Sequence, residues 1–416
     1  MSPLISSSLK PSSLDRREFL GRLGSLAVVA STGMPSLRRE KPVLVVVYLR
    51  GGQDALGAVM PFRDPRLASL RPTIGPAEEG EGAALPLDDE FALHPALKGL
   101  LPLWRDKTFA PIVAVGSPHP TRSHFDAQDF MEYAAPGLRN VRSGWLNRYL
   151  QARPSTANDS PLRAVAMQPS LPRAMRGEHM TLAVPQQIPR RGAVTLDAVE
   201  DLYAEPPAMD ADAPRDPVIA AGRATLEALR RYEEVMTKTP NADDAAYPRG
   251  PFADRLRAAA KLIRSGESVE LICADYPGWD HHAREGGADG LFARMLAQLG
   301  DSLAAFAKDL GPHFARTLVL TMTEFGRTCQ ENGNTGTDHG HGGLMFALGG
   351  KVKGGKVWGR WPGLAENSLY EGRDLVVTTD FRDVFAEALE SQLGFEAPRD
   401  FFPQFQRGKG LGFLDP

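Results

Sequence analysis

The sequence has few cysteines, little net charge and no long apolar run. Cys273 and Cys329 are the only two cysteines and have no CxxC partner, so neither a disulfide scaffold nor a cysteine-ligated zinc site is indicated. The formal charge is −3 over 416 residues and no basic stripe is present, which argues against a nucleic-acid partner. At 42% hydrophobic residues, the composition is that of a globular protein with ample material for a buried core.

Residues 1–40 predict an export signal rather than part of the fold. Asp15-Arg16-Arg17-Glu18-Phe19-Leu20 precedes a short apolar run from Leu23 to Ala30, and Val28-Val29-Ala30 loosely matches a small-residue cleavage site. That run is shorter than the roughly 20 apolar residues needed to span a bilayer. We therefore expect twin-arginine export to the periplasm or the cell exterior, with no transmembrane segment in the mature chain. A disordered basic tail and an uncleaved anchor are the alternatives.

Residues 41–416 alternate between apolar strands and amphipathic helices. The first strand, 42–49, is a continuous apolar run that suits a strand buried on both faces. A helix and a second strand follow, an order that predicts a parallel pair formed by these two strands. That helix is predicted at 96–105 and the second strand at 109–116. Further strands are predicted at 163–167, 269–274, 317–323 and 343–348, and further helices at 126–134, 144–153, 218–237, 252–265, 291–310 and 381–393. The stretch 187–216 is interpreted as a surface excursion or the base of a cap.

The stretch Thr337-Asp338-His339-Gly340-His341-Gly342-Gly343 combines one carboxylate and two imidazoles with glycine. Asp338, His339 and His341 offer the oxygen and nitrogen ligands that zinc or manganese takes. Glycines allow the backbone to approach closely where side chains would clash. An ordinary turn with solvated side chains is the alternative interpretation.

Polar residues that could complete such a site follow four predicted strands. They are Asp54; Ser123 and His124; Asp280, His281 and His282; and Glu324. Four of the nine histidines fall within the windows 280–282 and 338–341, which favours a metal site over an isolated turn. Strands bring residues that are distant in sequence together at one edge of a sheet.

Five motifs, in order, carry a resemblance to a known family. They are Arg-Gly-Gly-Gln-Asp at 50–54, Arg-Ser-His-Phe-Asp-Ala-Gln at 122–128, Pro-Gly-Trp-Asp-His-His at 277–282, Thr-Glu-Phe-Gly-Arg-Thr at 323–328 and Gly-Thr-Asp-His-Gly-His-Gly-Gly at 336–343. They resemble the exported bacterial family named domain of unknown function 1501, over nearly all of residues 42–395. That family is grouped with alkaline phosphatases and sulfatases. The resemblance implies an α/β three-layer sandwich, with a mostly parallel central sheet between helical layers and a metal site at the strand ends.

The resemblance also implies roles for individual residues. Asp54 would be the metal carboxylate of the first strand, and Ser123 the nucleophile. Asp280 and His282, with His281 as a rival, would hold the metal together with Glu324 and either His339 or His341. Phe325 stands where alkaline phosphatases have a histidine ligand, so one ion is expected, or a second ion held by carboxylates or by Asp338. Pro118 interrupts the formylglycine motif, which disfavours a formylglycine sulfatase.

The leading hypothesis from the sequence is a metal-dependent hydrolase of a small phosphate or sulfate ester. Ser123 would attack while Arg122 and Arg327 hold the anion, although either guanidinium could instead pair with a carboxylate. His124 would orient the nucleophile or act as an acid, with capping as its alternative role. A second hypothesis is an exported binding or surface-assembly protein with a structural metal, and a third is a phosphomutase-like transferase.

Overall fold

The computed structural model describes residues 40–75, 77, 80, 82–156, 159–184, 203, 216–242 and 244–416. Residues Lys41–Pro416 form one compact unit. The predicted export signal lies outside the described residues except for residue 40. The predicted excursion at 187–216 lies outside them except for residues 203 and 216. Both therefore stay predictions.

Strands and helices alternate along the described chain. The strands are β1 (Val43–Arg50), β2 (Val59–Met60), β3 (Leu85–Pro86), β4 (Ala92–Leu93), β5 (Phe109–Gly116), β6 (Ala164–Ala166), β7 (Leu182–Ala183), β8 (Leu271–Pro277), β9 (Thr317–Met322), β10 (Gly343–Gly349) and β11 (Thr379–Asp380). The α-helices are α1 (Ala55–Ala58), α2 (Leu67–Leu70), α3 (Leu101–Arg105), α4 (His124–Tyr133), α5 (Trp145–Ala152), α6 (Pro217–Lys238), α7 (Pro251–Arg264), α8 (Leu291–Leu310) and α9 (Phe381–Glu387). A 3₁₀ helix, Pro95–Leu100, leads into α3, and a π-helical turn, Ala388–Gln392, continues α9.

Eight strands form the central sheet, in the order β11-β5-β10-β9-β1-β8-β6-β7. Strand β1 runs parallel to both of its neighbours, β8 and β9, and β6 continues the parallel arrangement. Strand β10 is antiparallel to β9 and to β5. The predicted mostly parallel sheet is confirmed.

The sheet is buried on both faces. Alternate residues of β1 belong to different cores: Val45 and Val47 pack on one face, and Val46 and Tyr48 on the other. Helices α7 and α8 cover the first face, while α5 and α9 cover the second. Burial on both faces explains the continuous apolar run of β1 and gives the predicted α/β class with three layers.

The predicted pairing of β1 with β5 is wrong. Strands β9 and β10 lie between them, because β1 already pairs along both of its edges with the apolar strands β8 and β9.

The antiparallel direction of β10 positions the residues that precede it. It begins at the edge where β1, β5, β8 and β9 end, so the residues before β10 meet those that follow the four other strands.

Candidate metal centre

Three imidazoles and one carboxylate converge at this edge of the sheet. The Nε2 atom of His339 lies 2.9 Å from Nε2 of His124 and 2.9 Å from Nε2 of His282. The Asp280 carboxylate lies 3.2 Å from Nε2 of His339, 3.0 Å from Nε2 of His282 and 3.3 Å from Nε2 of His124. In the described part of the chain, His124, Asp280 and His339 form a group that could hold a metal ion, because one ligand atom from each lies within 4.8 Å of the others. His282 joins it through the contacts above.

The other ring nitrogen of each imidazole has an acceptor beside it. Nδ1 of His124 lies 2.8 Å from Oε1 of Glu324, and Nδ1 of His282 lies 2.9 Å from Oδ1 of Asp338. Nδ1 of His339 lies 2.8 Å from the carbonyl oxygen of Arg122. A neutral imidazole that donates from Nδ1 presents a lone pair at Nε2, so three lone pairs face one another.

This donor set fits a divalent metal ion. Lone pairs 2.9 Å apart repel unless a proton or a cation lies between them, and metal-bound histidines usually donate their second ring nitrogen to a carboxylate or carbonyl. Ligands about 2.0–2.2 Å from a tetrahedral zinc ion lie about 3.3 Å from one another, close to the separations found here. Three nitrogens and one oxygen also match the preference of zinc.

Glu324 is buried and orients His124. Its Oε1 atom accepts hydrogen bonds from Nδ1 of His124 (2.8 Å), Nε2 of Gln128 (2.9 Å) and the backbone amide of Gly51 (2.9 Å). Burial alone would raise the pKa of Glu324, but the hydrogen bonds from His124 and Gln128 hold it below its usual value. The same bond to Glu324 raises the pKa of His124. Glu324 thus has the contacts of an orienting carboxylate, not those of the ligand expected from the sequence.

Helix α4 places His124 and Gln128 on one face. His124 is the first residue of the helix, and Gln128 follows four residues later, a spacing that puts both side chains over Glu324. Phe325 packs against two imidazoles of the cluster, with ring centroids 4.8 Å from His124 and 4.9 Å from His339. The aromatic ring therefore supports the cluster at the position where the resemblance implied a nitrogen ligand, while His124 supplies a nitrogen from α4.

Glycine allows the loops around the cluster to approach one another. A Cβ atom on Gly326 would lie 1.8 Å from the carbonyl oxygen of Gly342, and one on Gly340 would lie 2.4 Å from the carbonyl carbon of Arg327. The amide of Gly340 donates to the carbonyl of Gly326, and the amide of Thr328 donates to the carbonyl of Asp338. These two hydrogen bonds pair the segment that follows β9 with the segment that precedes β10, which fixes the backbone around His339.

Four other residues predicted as ligands have different surroundings. Both carboxylate oxygens of Asp54 accept hydrogen bonds from Arg71, at 2.7 and 3.0 Å, in a buried ion pair. Burial opposes ionisation of Asp54, but the charge of Arg71 lowers its pKa. His281 is buried against Phe292 with neither ring nitrogen hydrogen-bonded, and burial lowers its pKa to about 4. His341 stacks on Tyr370 with centroids 4.5 Å apart. The carboxylate of Asp338 lies beside Nδ1 of His282, which points away from the cluster.

Of the predicted catalytic residues, Arg122 and Ser123 precede α4 and His124 begins it, whereas Arg327 follows β9. Ser123 is the exposed residue before the helix, and its hydroxyl makes no capping hydrogen bond. Arg122 pairs with Asp374 at 2.6 Å and with Glu371 at 2.7 Å. Arg327 donates to Oδ1 of Asp280 at 2.7 Å and to Thr337. Both guanidinium groups therefore pair with carboxylates.

Two contributors were missing from the sequence interpretation. Gln128 holds Glu324, and its own Oε1 accepts a hydrogen bond from Arg50 at 3.2 Å. The spacing of four residues between His124 and Gln128 on a predicted helix was a usable signal for the first. The carbonyl of Arg122 leaves no signal, because every residue carries one.

This arrangement defines a class of protein: an α/β protein with a candidate metal centre at the ends of its strands. Residues 111–400 match the family model described as "Protein of unknown function (DUF1501)". The chain belongs to that family, as the sequence predicted. No match was found among curated proteins.

Three solved structures are similar at low identity. The C-terminal periplasmic domain of EcEptC from Escherichia coli, in complex with Zn, is 11% identical with a TM-score of 0.34 and covers 74% of this chain and 73% of its own. A second structure of that domain is 12% identical with a TM-score of 0.34 and covers 90% of this chain and 91% of its own. PsFucS1 sulfatase from Pseudoalteromonas sp. is 11% identical with a TM-score of 0.31 and covers 83% of this chain and 68% of its own.

Among the residues that the structure describes, no helix is both long enough and apolar enough to cross a membrane.

Proposed function

We propose that this protein is an exported, metal-dependent hydrolase of phosphate or sulfate esters. The observation that carries the proposal is the convergence of three Nε2 atoms and the Asp280 carboxylate, one residue along the chain from the exposed Ser123. Metal ligands and a free hydroxyl in adjacent positions are what nucleophilic, metal-assisted ester cleavage requires.

The proposed ligands of one divalent ion are His124, Asp280, His282 and His339. Zinc fits this set better than manganese, because three nitrogens and one oxygen suit tetrahedral zinc whereas manganese favours oxygen-rich sites. A divalent ion bound there supplies Lewis-acid stabilisation of negative charge on an ester. Glu324, Asp338 and the Arg122 carbonyl then fix the ring orientations, and the buried Phe325 excludes water from one side of the rings.

The start of α4 supports binding of the anionic group. The amides in the first turn of an α-helix have no intrahelical acceptor and lie at the positive end of the helix dipole. The Ser123 hydroxyl is adjacent to these amides and makes no capping bond that an attack would have to break. Ser123 is therefore the proposed nucleophile, and the amides of the first turn are the proposed anion site.

A second candidate function is an exported binding protein with a structural metal. Arg122 and Arg327 favour it, because both guanidinium groups pair with carboxylates and neither is left to clamp a substrate anion. In the hydrolase, Arg122 instead has a positioning role. Its carbonyl lies beside Nδ1 of His339, and its guanidinium group pairs with Asp374.

One experiment separates the two functions. Elemental analysis of purified residues 41–416 identifies the metal, and phosphate and sulfate mono- and diesters are then screened with that metal present. Ser123→Ala should abolish hydrolysis with metal content retained and stability within about 0.5 kcal/mol, since no capping bond is lost. Ser69→Ala, at another exposed serine, is the control. Full activity in Ser123→Ala, or in metal-free protein, would overturn the mechanism.

Export is proposed on the twin-arginine pattern alone, with the translocation machinery as the partner. Replacing Arg16 and Arg17 with lysine keeps the charge but removes the recognised pair, so the precursor should accumulate inside the cell. Cell fractionation with an antibody against the mature chain measures the outcome. Normal export of the double variant would refute this assignment.

A further inference from the structure

Phe125 is exposed directly beside the candidate metal centre. Its side chain is 83% exposed, although it follows His124 and lies two residues after Ser123. Three other large apolar side chains are exposed in the described part of the chain, none of them aromatic and all less exposed: Met180, Val218 and Leu291.

The position of Phe125 in α4 separates it from the core. Ala127, Phe130 and Met131 form the buried face of the helix, while His124 and Gln128 point to Glu324. Successive residues of a helix are rotated by about 100°, so Phe125 belongs to neither face. Its ring stabilises neither the core nor the ligand cluster. A phenyl side chain that is 83% exposed keeps most of its apolar surface in water, which makes burial by a ligand favourable.

The same residue joins a polar and an apolar feature. The backbone amide of Phe125 is one of the first-turn amides that have no intrahelical acceptor, while its ring extends into solvent. A ligand that places an anion on those amides therefore has an apolar surface within one residue of its charged end. This arrangement matches a molecule with an anionic group attached to an apolar ring.

We infer that Phe125 is a specificity-determining residue that packs against the alcohol portion of the ester, and that the substrate is a phosphate or sulfate ester of an aromatic or otherwise apolar cyclic alcohol. The inference rests on the proposed hydrolase function and extends it from the reacting group to the leaving group. Phe125 would contact the alcohol, which is the leaving group, so it would change the relative kcat/KM of esters that differ in their alcohol.

The test compares kcat/KM for two esters that differ only in the alcohol. Phenyl and methyl phosphate form one pair, and phenyl and methyl sulfate form the other, which also separates the two anions. Phe125→Ala should lower the phenyl-to-methyl ratio of kcat/KM about tenfold, as expected for loss of one ring contact. Phe125→Leu, which keeps apolar area but not the ring, should lie between the two. Val218→Ala removes exposed apolar surface elsewhere and should leave the ratio unchanged.

Each outcome is decisive when metal content is measured on the same samples. A lowered ratio in Phe125→Ala with full metal content supports the inference. An unchanged ratio, with wild-type protein hydrolysing these esters, overturns the inference and leaves the hydrolase intact. A ratio lowered equally by Val218→Ala overturns it as well. If metal-loaded wild-type protein cleaves none of the esters, the hydrolase and this inference both fall.

Discussion

The histidines of this chain differ in what lies beside their second ring nitrogen. In His124, His282 and His339, Nδ1 faces a carboxylate or a carbonyl and Nε2 faces the cluster. In His94, Nδ1 accepts from the amide of Ala96 and Nε2 lies 3.1 Å from the carbonyl of Gly287, so both nitrogens serve local structure. An Nε2 atom that faces the cluster while Nδ1 faces an oxygen acceptor, rather than the presence of histidine, identifies the candidate ligands.

His339→Ala should remove bound metal, whereas His281→Ala should retain it. The first change deletes the nitrogen that lies 2.9 Å from both other imidazoles, while the second deletes a ring without contact to the cluster. We expect affinity to fall by more than about 100-fold for His339→Ala, since losing an outer partner alone costs about 10–100-fold. Metal content per folded chain, with folding checked by circular dichroism, measures the difference. Equal loss in both variants would contradict the assignment.

Sequence reasoning included Asp280, His282 and His339 among eight candidate ligands and assigned His124 a catalytic role, so it could not separate the proposed ligands from the residues around them. Glu324 and Asp54 follow buried strands just as Asp280 does, so residue type and position are alike for all three. The difference arises from tertiary contacts: Arg71 lies against Asp54, and three donors converge on Glu324. Each of these contacts joins residues that are distant in the sequence, so the residues next to Asp54 and Glu324 do not reveal them.

At the scale of elements, the connection between β9 and β10 carries one residue of the cluster, His339, and several of the residues around it. Glu324, Phe325 and Arg327 lie in the arm that follows β9, His339 lies in the arm that precedes β10, and the two arms are joined by backbone hydrogen bonds. The elements themselves followed from the sequence, because β9 and β10 are apolar and the motif between them is rich in glycine. The antiparallel direction of β10 did not, since an apolar run is compatible with either direction.

Gly326→Ala should disrupt this connection, and Gly333→Ala should be tolerated. A Cβ atom at Gly326 would lie 1.8 Å from the carbonyl oxygen of Gly342, so the two arms must separate, whereas nothing lies within 4 Å of a Cβ atom at Gly333. We expect Gly326→Ala to lower the free energy of unfolding by about 1–3 kcal/mol and to weaken metal binding. Denaturant unfolding and a chelator competition titration report the two effects. Similar behaviour of both variants would show that close approach of the arms is not required.

At the scale of the whole molecule, a buried charged network lies beside the candidate metal centre. Asp54 pairs with Arg71, and Glu285 accepts a hydrogen bond from the hydroxyl of Thr337 at 2.9 Å. Arg327 joins the network to the cluster through Thr337 and Asp280. Burial, helped by the negative charge of Asp54, raises the pKa of Glu285 from 4.5 to about 8. Glu285 is therefore protonated in the folded chain at neutral pH.

This shift couples the stability of the fold to pH. Between about pH 4.5, the ordinary value, and about pH 8, the folded chain holds a proton on Glu285 that the unfolded chain releases. Stability decreases with rising pH wherever the folded state binds more protons. The contribution is thus complete below about pH 4.5 and is lost as pH rises to about 8. Its slope is at most about 1.4 kcal/mol per pH unit.

Glu285→Gln should flatten this dependence. Glutamine has nearly the same shape and can still accept the bond from Thr337, but it cannot release a proton, so the variant should lose less stability than wild type between pH 5 and 8. Glu331→Gln is the control, because hydrogen bonds from Thr73 and Ile74 lower the pKa of Glu331 despite its partial burial and move its titration below this range. Urea unfolding of the three proteins at several pH values, with metal content held constant, gives the slopes.

Parallel profiles for wild type and Glu285→Gln would mean that Glu285 is ionised in the folded chain. The negative charges of Asp54 and Glu285 would then both be balanced by Arg71 and Arg327, and Arg327 would be shared between this network and Asp280 in the metal centre.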